Sequence, residues 1–243
     1  MEARVPDLLA GRTSTYALLR EGAAQRPDGP ALSFFLRTDD HERPFVWTHR
    51  QWIDQITQTA NMFRHLGVGR GDVIAFVLPN LPETHWTIWG GEAAGIVMAI
   101  NPLLEPPMML ELLKAGQPKW IVALAPTPGA DLWEKVASIA PQVPGLKGVL
   151  SVSPLRYLRH PMATVLQMVN RLKTPGRLGS VPVRDFHACL KGHNTTTLGF
   201  TPPALEDVAS YFCTGGTTGM PKIAVRTHRT EVANALQLAA VGA

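Results

Sequence analysis

Between Thr214 and Lys222 the chain reads TGGTTGMPK. Glycines let consecutive backbone N–H groups turn to one side at small steric cost, and such a run makes an anion-binding nest. The threonine hydroxyls add donors, and Lys222 adds a positive charge. Each hydrogen bond to a charged group is worth about 1.5–3 kcal/mol. Thr214, Gly215, Gly216, Thr217, Thr218, Gly219 and Lys222 together have the chemistry to hold a polyphosphate. The pattern is not a Walker A loop, which needs Gly immediately before Lys and opens a helix. Here Pro221 precedes Lys222 and Ile223 follows it. Pro221 biases Met220 away from helical geometry, and the IAV that follows reads as a strand. A Gly/Thr hairpin with no ligand is the plain alternative, but a turn needs only about two to five residues.

The elements that must hold this loop are legible on either side of it. Val208 to Cys213 and Lys222 to Thr227 read as strands, and Glu231 to Ala240 as a helix. Upstream, strands and helices alternate. A helix begins at TSTY and stops at Pro27, and Ala31 to Leu36 is a strand. Thr48 and Gln51 form a capping box for a helix that ends at Gly67. The apolar run in GDVIAFVLPN reads as a strand buried on both faces. Pro82 to Ala94 is helical, weakened by Gly90 and Gly91. Ile96 to Ile100 is a strand, Met108 to Ala115 a helix, Trp120 to Ala125 a strand, Asp131 to Ile139 a helix and Leu146 to Val152 a strand. The alternation predicts an α/β fold with a parallel or mixed sheet and flanking helices. KTPGRLGSVP and KGHNTTTLGFTPP read as loops. The chain divides into a first α/β portion (1–154), a basic insertion with loops (155–204), and a phosphate-loop strand pair with its helix (205–243).

Hydrophobic residues make up 45% of the 243 and charged residues 17%, enough for a sizeable core. The net charge of +4 suits acidic ligands without calling for nucleic acid. Cys189 and Cys213 are far apart and the histidines are scattered, so neither a disulfide framework nor a zinc site is expected. MEARVPDLLAGRTST has no basic start and no apolar core of a signal peptide, which predicts a cytoplasmic protein. Lys135 to Arg184 holds eight Lys/Arg and no Asp or Glu. Within it Met162, Val165, Leu166, Val169 and Leu172 share one helical face. Two readings stand: a basic amphipathic helix touching a membrane surface or an acidic cosubstrate, or a surface helix packed on the sheet, which the dispersal of its cations favours.

With the loop, its strands and His228 together, the chain resembles the adenylate-forming (AMP-binding) superfamily: acyl-CoA synthetases, luciferases and nonribosomal-peptide adenylation domains. The resemblance rests on TGGTTGMPK followed by IAVRTH. It extends over FVWTHRQWIDQITQTANMFRHLGVGRGDVIAFVLPNLPETHWTIWGGEAAGIVMAINPLLEP and LEDVASYFCTGG. Two positions depart from the family's usual pattern: Gly215 stands where Ser is common, and Ile223 where Gly is common.

The resemblance implies part of the large N-terminal domain of such an enzyme, with the smaller C-terminal domain absent and no catalytic residue identifiable in this portion. It implies that a carboxylic acid, fatty acyl among the candidates, attacks the α-phosphate of ATP with Mg²⁺. The acyl-adenylate then passes to a thiol, most often that of coenzyme A. The seven loop residues would grip the departing phosphates, and His228 would lie near substrate or nucleotide or else cap a strand. The alternative is a truncated, non-catalytic nucleotide- or partner-binding module. The segment ending LQLAAVGA reads as the end of an N-terminal portion that cannot complete adenylation alone.

Overall fold

The computed structural model describes residues 9, 11–159, 163–214 and 222–241, without the side chains of the last two. Its centre is an eight-stranded sheet in the order β10-β9-β4-β3-β5-β6-β8-β7. The strands are β3 (Val73–Val77), β4 (Ile96–Ala99), β5 (Pro118–Leu124), β6 (Gly148–Val152), β7 (Arg177–Leu178), β8 (Val181–Asp185), β9 (Val208–Cys213) and β10 (Ile223–Thr227). The six inner strands pair in parallel, and the outermost pairs β10/β9 and β7/β8 are antiparallel. A separate hairpin joins β1 (Pro30–Phe34) to β2 (Phe45–Thr48).

The helices are α1 (Thr15–Gln25), α2 (His49–His65), α3 (Pro82–Ala94), α4 (Pro106–Gly116), α5 (Leu132–Ile139), α6 (Ala163–Lys173), α7 (Phe186–Leu190) and α8 (His228–Val241). Strand residues alternate between two cores because successive side chains point to opposite faces. Ile74, Phe76, Val97, Val122 and Leu150 pack with Ile56, Phe63, Trp86 and Phe186 from α2, α3 and α7. Val73, Ala75, Val77, Ile121 and Val149 pack with Leu112, Leu113, Trp133 and Val136 from α4 and α5. Each fully buried large aliphatic or aromatic side chain contributes about 1.5–3 kcal/mol. This is why β3, apolar at all five positions and wholly buried, sits in the middle.

Local signals set the helix ends. Thr48 Oγ1 accepts the Gln51 N–H at 3.3 Å, and the Gln51 side chain accepts the Thr48 N–H at 3.0 Å, closing the expected capping box. Gly67 follows α2 with φ +83°, a left-handed stop. Pro82 opens α3, where its missing N–H costs nothing. The glycine pair that weakens α3 as a helix is what lets it approach α2. A Cβ on Gly90 would lie 2.8 Å from the Ile56 carbonyl oxygen and from Thr59 Cβ.

Two expectations are corrected. KTPGRLGSVP is not wholly loop: it contains β7 and the start of β8, which form a hairpin, and β8 joins the main sheet beside β6. Val181-Pro-Val-Arg-Asp hides this because it is short, interrupted by proline and half exposed. The second correction concerns α6. The stripe Val165, Leu166, Val169 and Leu172 does not pack on the sheet; it faces outward, with Leu172 76% and neighbouring Met168 66% exposed. Met162 lies outside the described residues. The residue α6 buries is Asn170, at 5%, whose amide donates to the Pro126 carbonyl. No described helix is long and apolar enough to cross a membrane.

Candidate functional site

The loop grows from the edge of the sheet. β9 runs parallel to β4, with Val97, Met98 and Ala99 opposite Ser210, Tyr211 and Phe212. It therefore delivers Thr214 to the carboxyl end of the parallel strands, the side on which open α/β sheets bind ligands. β10 then returns antiparallel, with Ile223 opposite Cys213. The pairing continues one step past both strands. Thr214 N–H donates to the Lys222 carbonyl at 2.8 Å, and Thr214 Oγ1 donates to the same oxygen at 3.2 Å.

Thr214 and Lys222 thus form a closed neck. Gly215, Gly216, Thr217, Thr218 and Gly219, which the sequence assigns to phosphate binding, lie outside the described residues. The Lys222 side chain is exposed and forms no ion pair among the described residues, so its charge is available to an anion. Cys213, beneath the neck, is half-buried, and burial pushes its thiol up and keeps it protonated.

His228 stands elsewhere than in an open cleft. It is the first residue of α8 and fully buried. Its Nδ1 accepts the Thr15 N–H at 3.3 Å and lies 2.9 Å from Thr15 Oγ1. An Nδ1 that accepts from an amide leaves the ring proton on Nε2, in the neutral imidazole. Burial lowers the His228 pKa to about 4, in keeping with that tautomer.

Thr15 Oγ1 also lies 2.9 Å from Glu92 Oε2. Burial, with the nearby Glu231 charge adding to it, raises the Glu92 pKa to about 8. Thr15 thus bridges the two groups, its hydroxyl donating to Glu92 Oε2 and its backbone N–H to His228 Nδ1. His228 Nε2 is buried and has no hydrogen-bond partner among the described residues. The sequence does not expose this chain, because Thr15 and His228 are 213 residues apart. A lone Glu inside the apolar run Trp86 to Ile100 is the one hint it carries.

The strand pair and α8 are tied together by charge. Ser210 Oγ donates to Glu231 Oε1 at 2.9 Å, and Arg226 pairs with Glu231 Oε2 at 2.7 Å. Asp207, before β9, pairs with Arg70 at 3.1 Å, accepts the Ala204 N–H, and through its carbonyl accepts the His228 N–H at 3.0 Å. The neck is held by contacts on both sides of its root. Among the described residues no group of three or more His, Cys, Asp or Glu is placed to hold a metal ion.

A mostly parallel sheet with helices on both faces and an antiparallel strand pair at one edge defines the class as α/β. The profile of the family described as "AMP-binding enzyme" matches residues 19–242, and the chain belongs to that family. A marinolic acid–CoA ligase of Pseudoalteromonas sp. (strain SANK 73390) is 28% identical over 196 residues, covering 81% of this chain and 26% of that protein. A long-chain-fatty-acid–CoA ligase of Bacillus subtilis (strain 168) is 28% identical over 229 residues, covering 92% and 38% respectively. The chain therefore spans about a quarter to two fifths of the length of these relatives.

Among solved structures, the acetoacetyl-CoA synthetase from Streptomyces lividans superposes with a TM-score of 0.73 at 20% identity. It covers 93% of this chain and 32% of its own. A long-chain-fatty-acid–CoA ligase from Archaeoglobus fulgidus gives 0.70 at 21% identity, covering 94% and 39%. These likenesses show the fold: the chain shares its architecture with about a third of each of these two larger proteins.

Proposed function

We propose that the natural protein carrying this chain is an ATP-dependent acid–thiol ligase. A carboxylate oxygen attacks the α-phosphorus of ATP, the bond to the β-phosphate breaks, and pyrophosphate leaves. The thiol of coenzyme A then attacks the acyl carbon, its proton is released, and AMP leaves. The observation that carries the reading is the neck made by Thr214 and Lys222 at the carboxyl end of the sheet, closed by a 2.8 Å hydrogen bond.

In this reading Thr214, Gly215, Gly216, Thr217, Thr218, Gly219 and Lys222 hold the phosphates that leave as pyrophosphate. The donor set suits that role, with amide N–H groups and hydroxyls for the oxygens and one exposed cation for the charge that builds on the leaving group. The nucleotide brings its Mg²⁺, which spreads charge over the phosphates. His228 acts by position: buried against Thr15, it fixes the start of α8 at the end of the strand pair away from the loop. The acid is of fatty-acyl type, a reading supported by the named substrate of the Bacillus subtilis relative.

The test is ATP–pyrophosphate exchange by the complete natural polypeptide against a panel of carboxylic acids. Exchange that depends on one class of acid supports the proposal. Absence of exchange with every acid, together with no ATP binding, overturns it.

A further inference from the structure

A second concave site of about 680 Å³ opens at the carboxyl end of the same sheet, beyond β3 from the loop, where β5, β6 and β8 end beneath α6. Four cationic residues from four separate elements are among its lining. Arg156 comes from the turn after β6, Arg171 from α6, Arg184 from β8, and Lys191 from the end of α7. The carboxylate among its lining residues is Asp185, whose Oδ1 already accepts the Ala188 N–H at 2.7 Å.

Arg156 lies 4.0 Å from Glu83, and Arg184 lies beside the Trp120 ring. Arg171 and Lys191 pair with no carboxylate among the described residues. Gathering like charges around one cavity is unfavourable unless an anion enters it.

Two further observations point the same way. α6 is turned inside out relative to a packed surface helix. It lines this cavity with Thr164, Gln167, Asn170 and Arg171 and with one apolar residue, Met168, while Val165, Val169 and Leu172 face solvent. Ser153 is on the cavity wall, and its Oγ is buried with no hydrogen-bond partner among the described residues. Buried polar atoms are rarely left so.

We propose that this cavity binds a phosphate group, as a monoester or diphosphate, separately from the Thr214–Lys222 loop. Cationic residues supplied by different elements along one cavity suit the several oxygens of a phosphate, which guanidinium groups bind by paired N–H donors. The phosphate has two available sources: a soluble phosphorylated molecule, or the headgroup of a phospholipid whose bilayer meets the outward apolar side of α6. The assignment does not rest on the acid–thiol ligase reading.

The experiment uses the complete natural polypeptide in three forms: wild type, Lys222→Ala, and the pair Arg171→Gln/Arg184→Gln. Both arginines are exposed, and circular dichroism checks that the pair folds. One arm titrates inorganic pyrophosphate by calorimetry. The other follows flotation with phosphatidylcholine vesicles with and without phosphatidic acid.

Pyrophosphate binding that survives Lys222→Ala, and that the arginine pair weakens at least about tenfold, or roughly 1.4 kcal/mol, supports the site with a soluble ligand. Flotation that needs phosphatidic acid and is lost in the arginine pair supports it with a lipid ligand. No binding in either arm, or binding unchanged in the arginine pair, overturns it. A fault in the loop assignment shows separately, as unchanged ATP–pyrophosphate exchange in Lys222→Ala.

Discussion

Thr214 donates its backbone N–H to the carbonyl of Lys222, so the two ends of the glycine–threonine loop are joined as if the strands ran on. Thr214 adds its hydroxyl to the same oxygen at 3.2 Å. Thr214→Val removes that second bond and keeps the first. We expect it to lower stability by no more than about 1 kcal/mol, because the site is exposed, and to raise the KM for ATP more than it lowers the melting temperature. Steady-state kinetics with thermal denaturation separate the two effects.

Glu92 and His228 give stability a defined pH dependence. The folded pKa of Glu92 is raised to about 8 from 4.5, so the folded state holds a proton that the unfolded chain has released. Its stabilisation is full below the unfolded value and is lost as pH rises through 8. His228 is depressed to about 4 from 6.5, so its stabilisation is present above 6.5 and is lost as pH falls towards 4. Between pH 4.5 and 6.5 the two slopes oppose each other; from 6.5 to above 8 the Glu92 loss stands alone. We expect wild-type stability to fall over that upper range by an amount on the order of a few kcal/mol, and Glu92→Gln to flatten it. Denaturation midpoints from about pH 6 to 9 check this, and parallel curves for the two proteins would contradict it.

Gly90 is where α3 meets α2. Any Cβ there collides with the Ile56 carbonyl and Thr59, both fixed in a packed helix. Gly90→Ala is expected to destabilise by about 1–3 kcal/mol, despite the better helix propensity of alanine. Urea denaturation of the variant measures it, and a neutral or stabilising result would mean the helices can separate freely.

Glu83 is fully buried at the start of α3, and its Oε1 accepts from Tyr157 at 2.7 Å and lies 2.6 Å from His187 Nε2. Its other oxygen, Oε2, has no hydrogen-bond partner among the described residues. Burial and the adjacent Glu83 charge push the Tyr157 hydroxyl well above its ordinary pKa, so it remains a donor. Tyr157→Phe keeps the ring packing against Phe34 and Phe45 and deletes the donor. A loss of about 1–3 kcal/mol is expected in chemical denaturation, whereas a silent substitution would show that His187 alone satisfies the carboxylate.

How much is legible in the sequence follows from what each signal depends on. The ends of α3 at Pro82 and Ala94 and the strand Val208–Cys213 are readable because proline, glycine and continuous apolar runs act locally. β8 is not, because its place beside β6 is set by tertiary pairing and its sequence carries a proline and two charges. The amphipathic period of α6 is plain, yet a period reveals only that an apolar face exists and not which way it turns. The glycine–threonine loop displays its donor groups in residue types alone, and its inner residues lie outside the described ones. The link from Glu92 through Thr15 to His228 cannot be read that way, since no local rule connects residues 77 and 213 positions apart.

The central claim is that the loop closed by Thr214 and Lys222 grips the phosphates of a nucleotide during acid activation. The most direct measurement is ATP–pyrophosphate exchange by the complete natural polypeptide and its Lys222→Ala variant, with the preferred acid saturating. Loss of one charge-assisted contact of about 1.5–3 kcal/mol should slow exchange at least tenfold while the melting temperature stays unchanged. Exchange at the wild-type rate in a folded Lys222→Ala protein would contradict the account.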